Sequence, residues 1–529
     1  MEYSGEILGI IYQNELNSYT IAEMYIDELE DVKTIVGYLP FVVEGDNLKI
    51  IGKFVEHREY GEQFKVESFE KVMPQTLDAL ERYLANGTIK GVGPATAKKI
   101  VKKFGDDTID TIKYAPEKLA EIKGITRDKA IDISESFIES WEVWQIVGFL
   151  EKFSIGVENA KRIYDKLGNN AIEQIKDNPY VLIDLVRGVD FRQIDKMALE
   201  LGTDETSKKR IQSGIKYALI QTTYNGHSCV ILQNLEEYTH NLLDVSIDEI
   251  EENIINLKAK GEIIIEERDD GDEWVYLESF YNTEKAICNR LIKLDQYENS
   301  KYVKGIEDEI KKVEKNNIIT LSDKQKEAIK AVNDNNVTII TGGPGTGKTT
   351  IIKSIIEIYQ KKNNKIMLAA PTGRAAKRMT EMTGYEASTL HRLLEIGKIN
   401  EDGLYKQYQD YQGTPIDGDI VIVDEMSMVD MFLMNYLLQS VYLGTKLILV
   451  GDSDQLSSVG PGNVLKDIIE SERITTIHLD KIFRQAAKSK IIVNAHRVNE
   501  GEGFISKSEA SEDSKDDFFF INEVNQEKI

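Results

Sequence analysis

The chain has 529 residues, of which 41% are hydrophobic and 29% charged, and its net charge is −25. This length is too great for one hydrophobic core, so we expect three or four domains. The acidic balance disfavours a uniformly basic nucleic-acid binder but allows a local basic groove. Without an apolar run near 18 residues, a signal peptide or closely spaced cysteines, the sequence predicts a cytoplasmic protein with no membrane span, disulfide or cysteine metal site.

Residues 1–72 alternate short apolar runs with turn residues, a pattern that is typical of an all-β domain. The strand candidates are Ile7–Tyr12, Tyr19–Ala22, Thr34–Tyr38, Leu48–Gly52 and Phe64–Val66. Five short strands favour a small barrel of the OB type. A β-barrel that binds no ligand is an equally open interpretation.

Residues 75–205 change to helical character, and a glycine turn that recurs about every 33 residues predicts an array of helical hairpins. The first copy resembles the helix–hairpin–helix (HhH) motif of DNA-binding proteins. In it, Gly91 and Gly93 are expected to form a tight turn whose backbone N–H groups grip a phosphate without reading sequence. Lys98 and Lys99 follow on the next helix, so all four residues are predicted to contact DNA. A purely structural hairpin is the alternative.

The later copies of the turn, near residues 124, 156 and 188, are predicted to be scaffold where Glu158 or Asp190 would repel phosphate. Residues 206–316 then predict a winged-helix-like bridge. Ser246 is a suitable cap for a helix, and strands at 262–266 and 274–277 flank a turn at 269–272. The helix after Ser246 is acidic, so we expect this segment to connect domains rather than to enter a DNA groove.

Residues 317–480 alternate strands and helices, which predicts a parallel α/β domain. Within it lies a complete phosphate-binding loop of the type G-x-x-x-x-G-K-[ST], preceded by an apolar strand candidate at 337–340 and followed by a helical segment. Backbone N–H groups of such a loop wrap phosphates at a helix N-terminus, so a nucleoside triphosphate is the predicted ligand. The predicted binding residues are Gly342, Gly343, Pro344, Gly345, Thr346, Gly347, Lys348, Thr349 and Thr350.

Each polar side chain of this site has an expected role. Lys348 is expected to reach the β and γ phosphates, and Thr349 to hold Mg²⁺. The strand candidate at 420–423 ends in Asp424 and Glu425. Asp424 is predicted to position Mg²⁺, and Glu425 to activate the attacking water. An ordinary acidic pair at a strand end is the alternative, and the phosphate loop favours the functional interpretation.

A set of motifs in this domain resembles superfamily 1 helicases of the RecD type. The set comprises the phosphate loop, residues 370–376, 388–393, 423–430 and 451–456, the segment 321–325 upstream and the segment 479–485 downstream. The order of barrel, helical hairpins and RecA-like motor domain resembles the branch of that family with a long N-terminal region. The resemblance covers nearly the whole chain.

The resemblance implies ATP-driven 5′→3′ translocation on single-stranded DNA and unwinding of 5′-tailed or junction duplexes. By this resemblance Gln325 contacts the adenine, Gln455 senses the γ-phosphate, and Arg484 meets the same phosphate. Thr372, Arg374 and His391 are placed along the DNA. The stretch 396–405 is either the pin that splits the duplex or an ordinary surface hairpin.

The family places a second motor lobe after this point, and residues 481–529 are expected to be only its start. The run 516–521 predicts a strand without a remaining sheet. Because such a motor closes two lobes around ATP, we expect this chain, as a truncated member and a monomer, to hydrolyse ATP slowly and not to unwind DNA. A separate carboxyl-terminal lobe therefore joins DNA among the expected partners.

Two further hypotheses come from other classes. An ATP-gated DNA-binding module would use the same site without movement. A P-loop kinase is disfavoured because a kinase does not need the acidic pair at 424–425 together with the motif at 451–455. RNA stays open as a partner, although the lysines after the first hairpin favour DNA. The sequence contains no recognisable nuclease motif, so we expect no cleavage activity.

Overall fold

The structure is a computed structural model, and it divides the chain into two compact units, residues 1–210 and 211–529. It describes residues 1–14, 19–39, 42–57, 61–73, 77–153, 155, 159–186, 189–268, 271–299, 301–396, 414–483, 489–505 and 517–519. Within these ranges, no helix is both long and apolar enough to cross a membrane.

The first unit begins with a closed five-stranded barrel, so the predicted OB-like architecture is confirmed. Its strands are hydrogen-bonded in the order β1-β2-β3-β5-β4. The inward side chains alternate with outward ones and form an apolar interior that includes Ile7, Met24 and Phe64. The strands are β1 (Glu2–Gln13), β2 (Tyr19–Ile26), β3 (Asp31–Tyr38), β4 (Asn47–His57) and β5 (Gly61–Val72).

Seven helices in the described part of the first unit follow the barrel. The turn at Gly91 connects the first two, and the turn at Gly124 precedes the fourth, as the repeat of about 33 residues predicts. The apolar faces of the first four share one core, which includes Leu84, Ile100 and Phe137. The helices are α1 (Leu77–Ala85), α2 (Pro94–Phe104), α3 (Thr108–Tyr114), α4 (Arg127–Glu151), α5 (Asn159–Leu167), α6 (Ala171–Asp177) and α7 (Phe191–Glu200).

A buried ion pair within the barrel also contacts one of these helices. The Lys71 amine on β5 lies 2.5 Å from the Asp46 carboxylate, and both side chains are nearly inaccessible to solvent. The same amine lies 4.5 Å from the centre of the Trp144 ring on α4. Removing one partner of such a pair leaves an uncompensated buried charge, so the pair fixes the barrel against α4.

The second unit begins within α8, and a small antiparallel sheet with strand order β6-β8-β7 packs among its first helices. Ser246 caps α10 as its position predicts, and Glu249 completes a reciprocal capping box. The elements are α8 (Lys208–Tyr224), β6 (Cys229–Ile231), α9 (Leu232–Leu243), α10 (Ile247–Ala259), β7 (Ile263–Glu267), β8 (Glu273–Leu277), α11 (Glu278–Asp295) and α12 (Ile306–Asn317).

The rest of the second unit is a six-stranded sheet in the order β11-β10-β12-β13-β9-β14, and every strand pairing in it is parallel. The predicted α/β class of this domain is therefore confirmed. Its elements are α13 (Asp323–Asp334), β9 (Val337–Gly342), α14 (Lys348–Gln360), β10 (Ile366–Ala370), α15 (Gly373–Thr383), β11 (Ala387–Thr389), α16 (Leu390–Leu393), β12 (Ile420–Val423), α17 (Met431–Ser440), β13 (Lys446–Gly451), α18 (Val464–Glu470), β14 (Thr475–Leu479) and α19 (Lys490–Asn499).

Both faces of this sheet are covered by apolar clusters. In β12, Val421 and Val423 pack into one cluster, and Ile420 and Ile422 into the other. This arrangement explains why the strands are continuous apolar runs rather than alternating patterns. The carboxyl ends of the parallel strands share one edge, where ligands bind in folds of this kind.

A lysine is buried at the opposite edge of the sheet. Lys446 begins β13 and has 0% solvent exposure. Its amine donates hydrogen bonds to the carbonyl oxygens of Val332 (2.8 Å), Asn333 (3.1 Å) and Asn335 (2.7 Å) at the carboxyl end of α13. Burial lowers the pKa of Lys446 to about 8, so the amine is still mostly protonated at neutral pH. One side chain thus satisfies the last carbonyl groups of a helix.

We expect Lys446→Met to destabilise the second unit by about 1–3 kcal/mol, because the methionine keeps the aliphatic packing but removes three hydrogen bonds and leaves the carbonyl groups of Val332 and Asn335 without the lysine donor. The midpoint of urea unfolding of that unit measures the effect. Lys365→Met is the matched control. It removes an ion pair of 2.6 Å to Asp417, whose side chain is 92% exposed, so it should change stability by less than about 1 kcal/mol. Equal effects of the two variants would contradict a capping role for Lys446.

Candidate functional site

The phosphate loop connects the end of β9 to the start of α14. Gly345 and Gly347 have φ angles of 81° and 86°, in the left-handed region that favours glycine. The Lys348 amine is folded back onto the loop and donates hydrogen bonds to the carbonyl oxygens of Gly342 and Gly343. The Thr346 hydroxyl also donates to Gly343 O, at 2.8 Å. The predicted loop residues therefore form one tight turn that ends at a helix N-terminus.

Three side chains outside the loop pack directly on its glycines. A Cβ atom added to Gly343 would lie 2.5 Å from His496 Cε1 on α19, and His496 Nε2 lies 3.2 Å from Pro344 O. A Cβ atom on Gly347 would lie 2.3 Å from Gln325 Nε2 and 3.1 Å from the Phe483 ring. Only glycine fits at these two positions without displacing a neighbour.

Gln325 was predicted to contact the base, and its position shows how it is held. It is 1% exposed, and with Ser322 it forms a reciprocal capping box at the start of α13. The side-chain oxygen accepts a hydrogen bond of 3.0 Å from the Ser322 N–H, which leaves the amide nitrogen directed at Gly347. The cap thus orients the amide donor toward the loop.

The two acidic residues lie directly after β12. The Glu425 N–H donates to Asp424 Oδ1 at 2.9 Å, and Glu425 has a left-handed φ of 56°. Burial raises the pKa of Asp424, and the neighbouring Glu425 carboxylate raises it further, whereas Lys348 and Arg378 oppose this shift. A half-buried carboxylate that interacts electrostatically with the loop lysine is a suitable place for a divalent cation. Thr349 in the first turn of α14 and Asp424 therefore fit the predicted Mg²⁺ site.

The segment after β13 is tied to the end of β9. Thr341 Oγ1 lies 3.2 Å from Ser453 Oγ and accepts a hydrogen bond from the Ser453 N–H. Asp452 is 2% exposed, and its carboxylate accepts a hydrogen bond of 3.2 Å from the side-chain amide of Gln455. Gln455 itself is exposed at the same edge of the sheet. These contacts hold the segment that contains Gln455 beside the end of β9, where the phosphate loop begins.

The residues expected to contact DNA in this unit lie at the ends of neighbouring strands. Thr372 follows β10 and caps α15, accepting a hydrogen bond of 3.2 Å from the Ala375 N–H, and Arg374 is exposed in the first turn of that helix. His391 is half-buried on α16. Burial raises the pKa of Asp430, and the nearby His391 opposes this shift. These three residues do not belong to the phosphate loop, and their DNA contacts stay a prediction.

In the first unit, the predicted hairpin has the expected local geometry. Gly91 has a φ of 80°, and the Gly93 carbonyl accepts hydrogen bonds of 2.9 Å from the N–H groups of Thr96 and Ala97 at the start of α2. Lys98 and Lys99 are exposed on that helix. A Cβ atom on Gly91 would lie 3.3 Å from Lys129 on α4, so the second repeat packs against the turn of the first.

Some predicted features lie outside the described residues, namely Arg484, most of the stretch 396–405, and the turn glycines at 156 and 188. Of the strand predicted at 516–521, only residues 517–519 are described, and they do not form a strand. Conversely, His496 and Phe483 contact the loop but were not predicted to act there. The aromatic ring directly before Arg484 was an available signal for Phe483. His496 lies in an ordinary amphipathic helix, and nothing in its local sequence distinguishes it.

Comparison with known families matches four profiles. Residues 1–74 match the OB-fold domain of the ATP-dependent DNA helicase YrrC, and residues 83–137 match a SAM-like helix-hairpin-helix tandem. Residues 139–229 match the HHH domain of the ATP-dependent RecD2 DNA helicase, and residues 320–515 match an AAA domain. The chain is therefore similar to helicases of the RecD2 type over most of its length. The predicted resemblance to RecD-type helicases, the OB-fold and the hairpin tandem are thereby confirmed.

Individual proteins are similar to parts of the chain. The chain is 28% identical over 481 residues to the ATP-dependent RecD2 DNA helicase of Deinococcus radiodurans, and the match covers 89% of this chain and 65% of the relative. It is 36% identical over 171 residues to the RecBCD enzyme subunit RecD of Mycolicibacterium smegmatis, covering 28% and 30% of the two chains. The crystal structure of Pif1 helicase from Candida albicans matches with a TM-score of 0.24 and 28% identity, over 32% of this chain and 41% of that one. The chain thus spans less than two thirds of the length of these relatives.

Asp424→Asn should raise the midpoint of thermal unfolding at pH 7 without nucleotide and should strongly reduce ATP hydrolysis. Folding raises the pKa of Asp424, so the folded state binds the proton more tightly than the unfolded state does. Above that pKa the ionised carboxylate therefore lowers the free energy of unfolding. The amide removes this cost and also removes the charge that would hold Mg²⁺.

The matched control is Asp417→Asn, whose side chain is 92% exposed and which should change neither quantity. If Asp424→Asn lowers the unfolding midpoint and keeps normal hydrolysis, Asp424 is a structural residue and the proposed metal site is wrong.

Proposed function

We propose that this chain hydrolyses ATP and couples hydrolysis to 5′→3′ movement along single-stranded DNA, as a helicase of the RecD type. The observation that carries the proposal is the shared edge of the parallel sheet. The glycine loop lies there together with the folded-back Lys348 amine and the Asp424 carboxylate. Lys348 acts electrostatically on Asp424. A loop lysine and a metal-binding carboxylate are the two parts that phosphoryl transfer from a nucleotide needs.

The residues divide the chemistry between them. We assign Lys348 to the β and γ phosphates, Glu425 to orienting the attacking water, and Gln455 to sensing the γ-phosphate, with Arg484 as a second cation for the developing charge. Thr349 and Asp424 would hold Mg²⁺, which when bound supplies positive charge to the phosphate oxygens. The backbone at Glu425 is left-handed, a strained conformation that is concentrated at functional sites, which supports a role for Glu425 in the chemistry.

The base of the nucleotide has its own proposed contacts. The Gln325 amide and the Phe483 ring both lie against Gly347, at the end of the loop where α14 begins. An amide with free donor capacity suits the polar edge of adenine, and an aromatic ring suits its face. We therefore add Phe483 to the predicted nucleotide-binding residues.

DNA is the proposed polymer because of the first hairpin. Its turn presents a helix N-terminus, followed by exposed Lys98 and Lys99 on the same helix. Such a site holds the phosphate backbone without regard to sequence. Thr372, Arg374 and His391 extend the proposed contacts within the motor domain. The order helix, strand, two helices and a hairpin in α8 to β8 supports a winged-helix bridge, with a connecting role because α10 is acidic in its first turn.

The alternative proposal is an ATP-gated DNA-binding module without movement. A strand-separation assay on a 5′-tailed duplex, with stimulation of ATP hydrolysis by single-stranded DNA measured in parallel, separates the two. Stimulated hydrolysis with strand separation supports a motor. ATP-dependent DNA affinity without stimulated hydrolysis or strand separation supports the module and contradicts the translocation proposal.

Lys348→Ala should reduce the rate of ATP hydrolysis by about 10²–10³-fold, because it removes the cation closest to the transferred phosphate. Lys353→Ala on the same helix is the matched control, since Lys353 is exposed and should leave the rate unchanged. A phosphate-release assay with saturating DNA measures both variants. Normal hydrolysis by the Lys348 variant would mean that the active site lies elsewhere.

The paired substitution Lys98→Ala and Lys99→Ala should weaken DNA binding equally for unrelated sequences and reduce the slope of log affinity against log salt by about 2. Fluorescence anisotropy across a salt series measures this slope. The control is the pair Lys161→Ala and Lys196→Ala, whose side chains are 69% and 78% exposed and which change the net charge equally. Equal losses in both pairs would show that only overall charge matters.

A further inference from the structure

The barrel carries an exposed aromatic face that the proposed ATP and DNA sites do not use. On neighbouring strands Tyr12 is in register with Ile21, and Tyr19 with Tyr38. Tyr12 is 51% exposed and Tyr38 63% exposed. The rings of Tyr19 and Tyr38 meet edge to face, with centroids 5.5 Å apart. We call this surface, formed by the outward side chains of β1, β2 and β3, the tyrosine face.

The surroundings of the tyrosine face are acidic. Residues 1–72 contain 15 acidic and 6 basic residues, a net charge of −9. Glu23 lies exposed within the face, in register with Thr34 of β3. At the turn between β2 and β3 the pKa of Asp27 is raised, first by burial and then by the negative charges of Glu28 and Glu6. Carboxylates are therefore crowded at one end of the face.

This charge pattern disfavours a nucleic acid as the ligand of the face. The strands β1, β2 and β3 contain a single basic residue, Lys33, and its amine is paired with Asp31 at 3.0 Å. Binding to a phosphate backbone depends on lysine and arginine, whereas the carboxylates here repel it. Tyrosine rings by themselves stack on bases, but without cations they have no means of holding the chain.

The barrel topology also restricts how a protein is able to bind. The barrel is closed, and β2, the central strand of the face, is hydrogen-bonded to β1 on one side and to β3 on the other. A partner at β2 must therefore be recognised through side chains rather than by addition of a strand. Tyrosine is a preferred residue in protein interfaces, and its ring attracts the cations of lysine and arginine.

We propose that the tyrosine face docks a protein partner through a basic segment that also carries aliphatic side chains. The lysine or arginine groups of the segment lie over the tyrosine rings and beside Glu23, and its aliphatic groups cover Ile21. The lysines of α2 in the same unit have the opposite charge, so DNA and the protein partner select different surfaces by charge. This inference does not depend on ATP hydrolysis.

The test measures binding of labelled probes to the full chain by fluorescence anisotropy. The probes are a twelve-residue peptide that alternates leucine with arginine or lysine, the same peptide with glutamate at the basic positions, and an oligothymidylate. We expect the full chain to bind the basic peptide and not the acidic one. Glu23→Lys should weaken binding of the basic peptide by about ten-fold. The double substitution Tyr12→Ala and Tyr38→Ala should weaken it by the same factor.

Two controls lie on the other side of the barrel. Glu56→Lys repeats the charge change at an exposed position of β4, and Ile51→Ala removes an apolar side chain that is 44% exposed there. Neither should weaken binding of the basic peptide by more than about two-fold. The ATP hydrolysis rate of all variants should equal that of the unchanged chain, which keeps this test independent of the motor.

Three outcomes overturn the proposal. The first is equal losses in the face variants and the controls, which would indicate attraction to net charge alone. The second is binding of the oligothymidylate that the tyrosine substitutions abolish, which would make the face a nucleic-acid site. The third is failure of the basic peptide to bind. Unchanged ATP hydrolysis in Lys348→Ala together with intact binding of the basic peptide would instead count against the proposed motor site alone.

Discussion

The nucleotide site depends on the register of β9 between two parallel neighbours. Thr341 is paired with Gly451 of β13, and Gly342 with Leu479 of β14. A Cβ atom on Gly342 would lie 2.7 Å from Leu479 O, so the backbones approach more closely than any other residue would allow. Because β12 continues the same register through β13, the phosphate loop and Asp424 start at one edge. A shift in the register of one strand would separate the phosphate loop from Asp424.

Local chemistry explains which features the sequence was able to predict. The phosphate loop, the acidic pair and the Ser246 cap each depend on residues that are close together in the chain. The five barrel strands were found because alternation and turn residues are also local signals. Lys446 and His496 depend on distant partners, since Lys446 contacts Val332 114 positions away and His496 contacts Pro344 152 positions away. No local pattern contains that information.

The candidate site is also where the fold departs from stable local geometry. Glu425 occupies the left-handed region, Asp424 is a half-buried carboxylate whose pKa burial raises, and the Lys348 amine donates to loop carbonyls. The first two features each cost free energy of the order of 1–3 kcal/mol, which packing elsewhere offsets. The apolar clusters on both faces of the sheet supply that packing. Strain concentrated at the proposed reacting residues is what a preorganised active site requires.

The net charge of −25 is a sum over surfaces of different sign, so it does not describe the charge of any one surface. The barrel sequence is strongly acidic, whereas α2 carries four lysines within six residues. At physiological salt, exposed charges act over a Debye length of about 8 Å, so a phosphate at the hairpin responds mainly to the lysines beside it. The same screening limits the electrostatic effect of the carboxylates of the tyrosine face to groups close to them. An acidic chain is therefore able to bind DNA, because the partner at each surface is selected by the charges within reach of it.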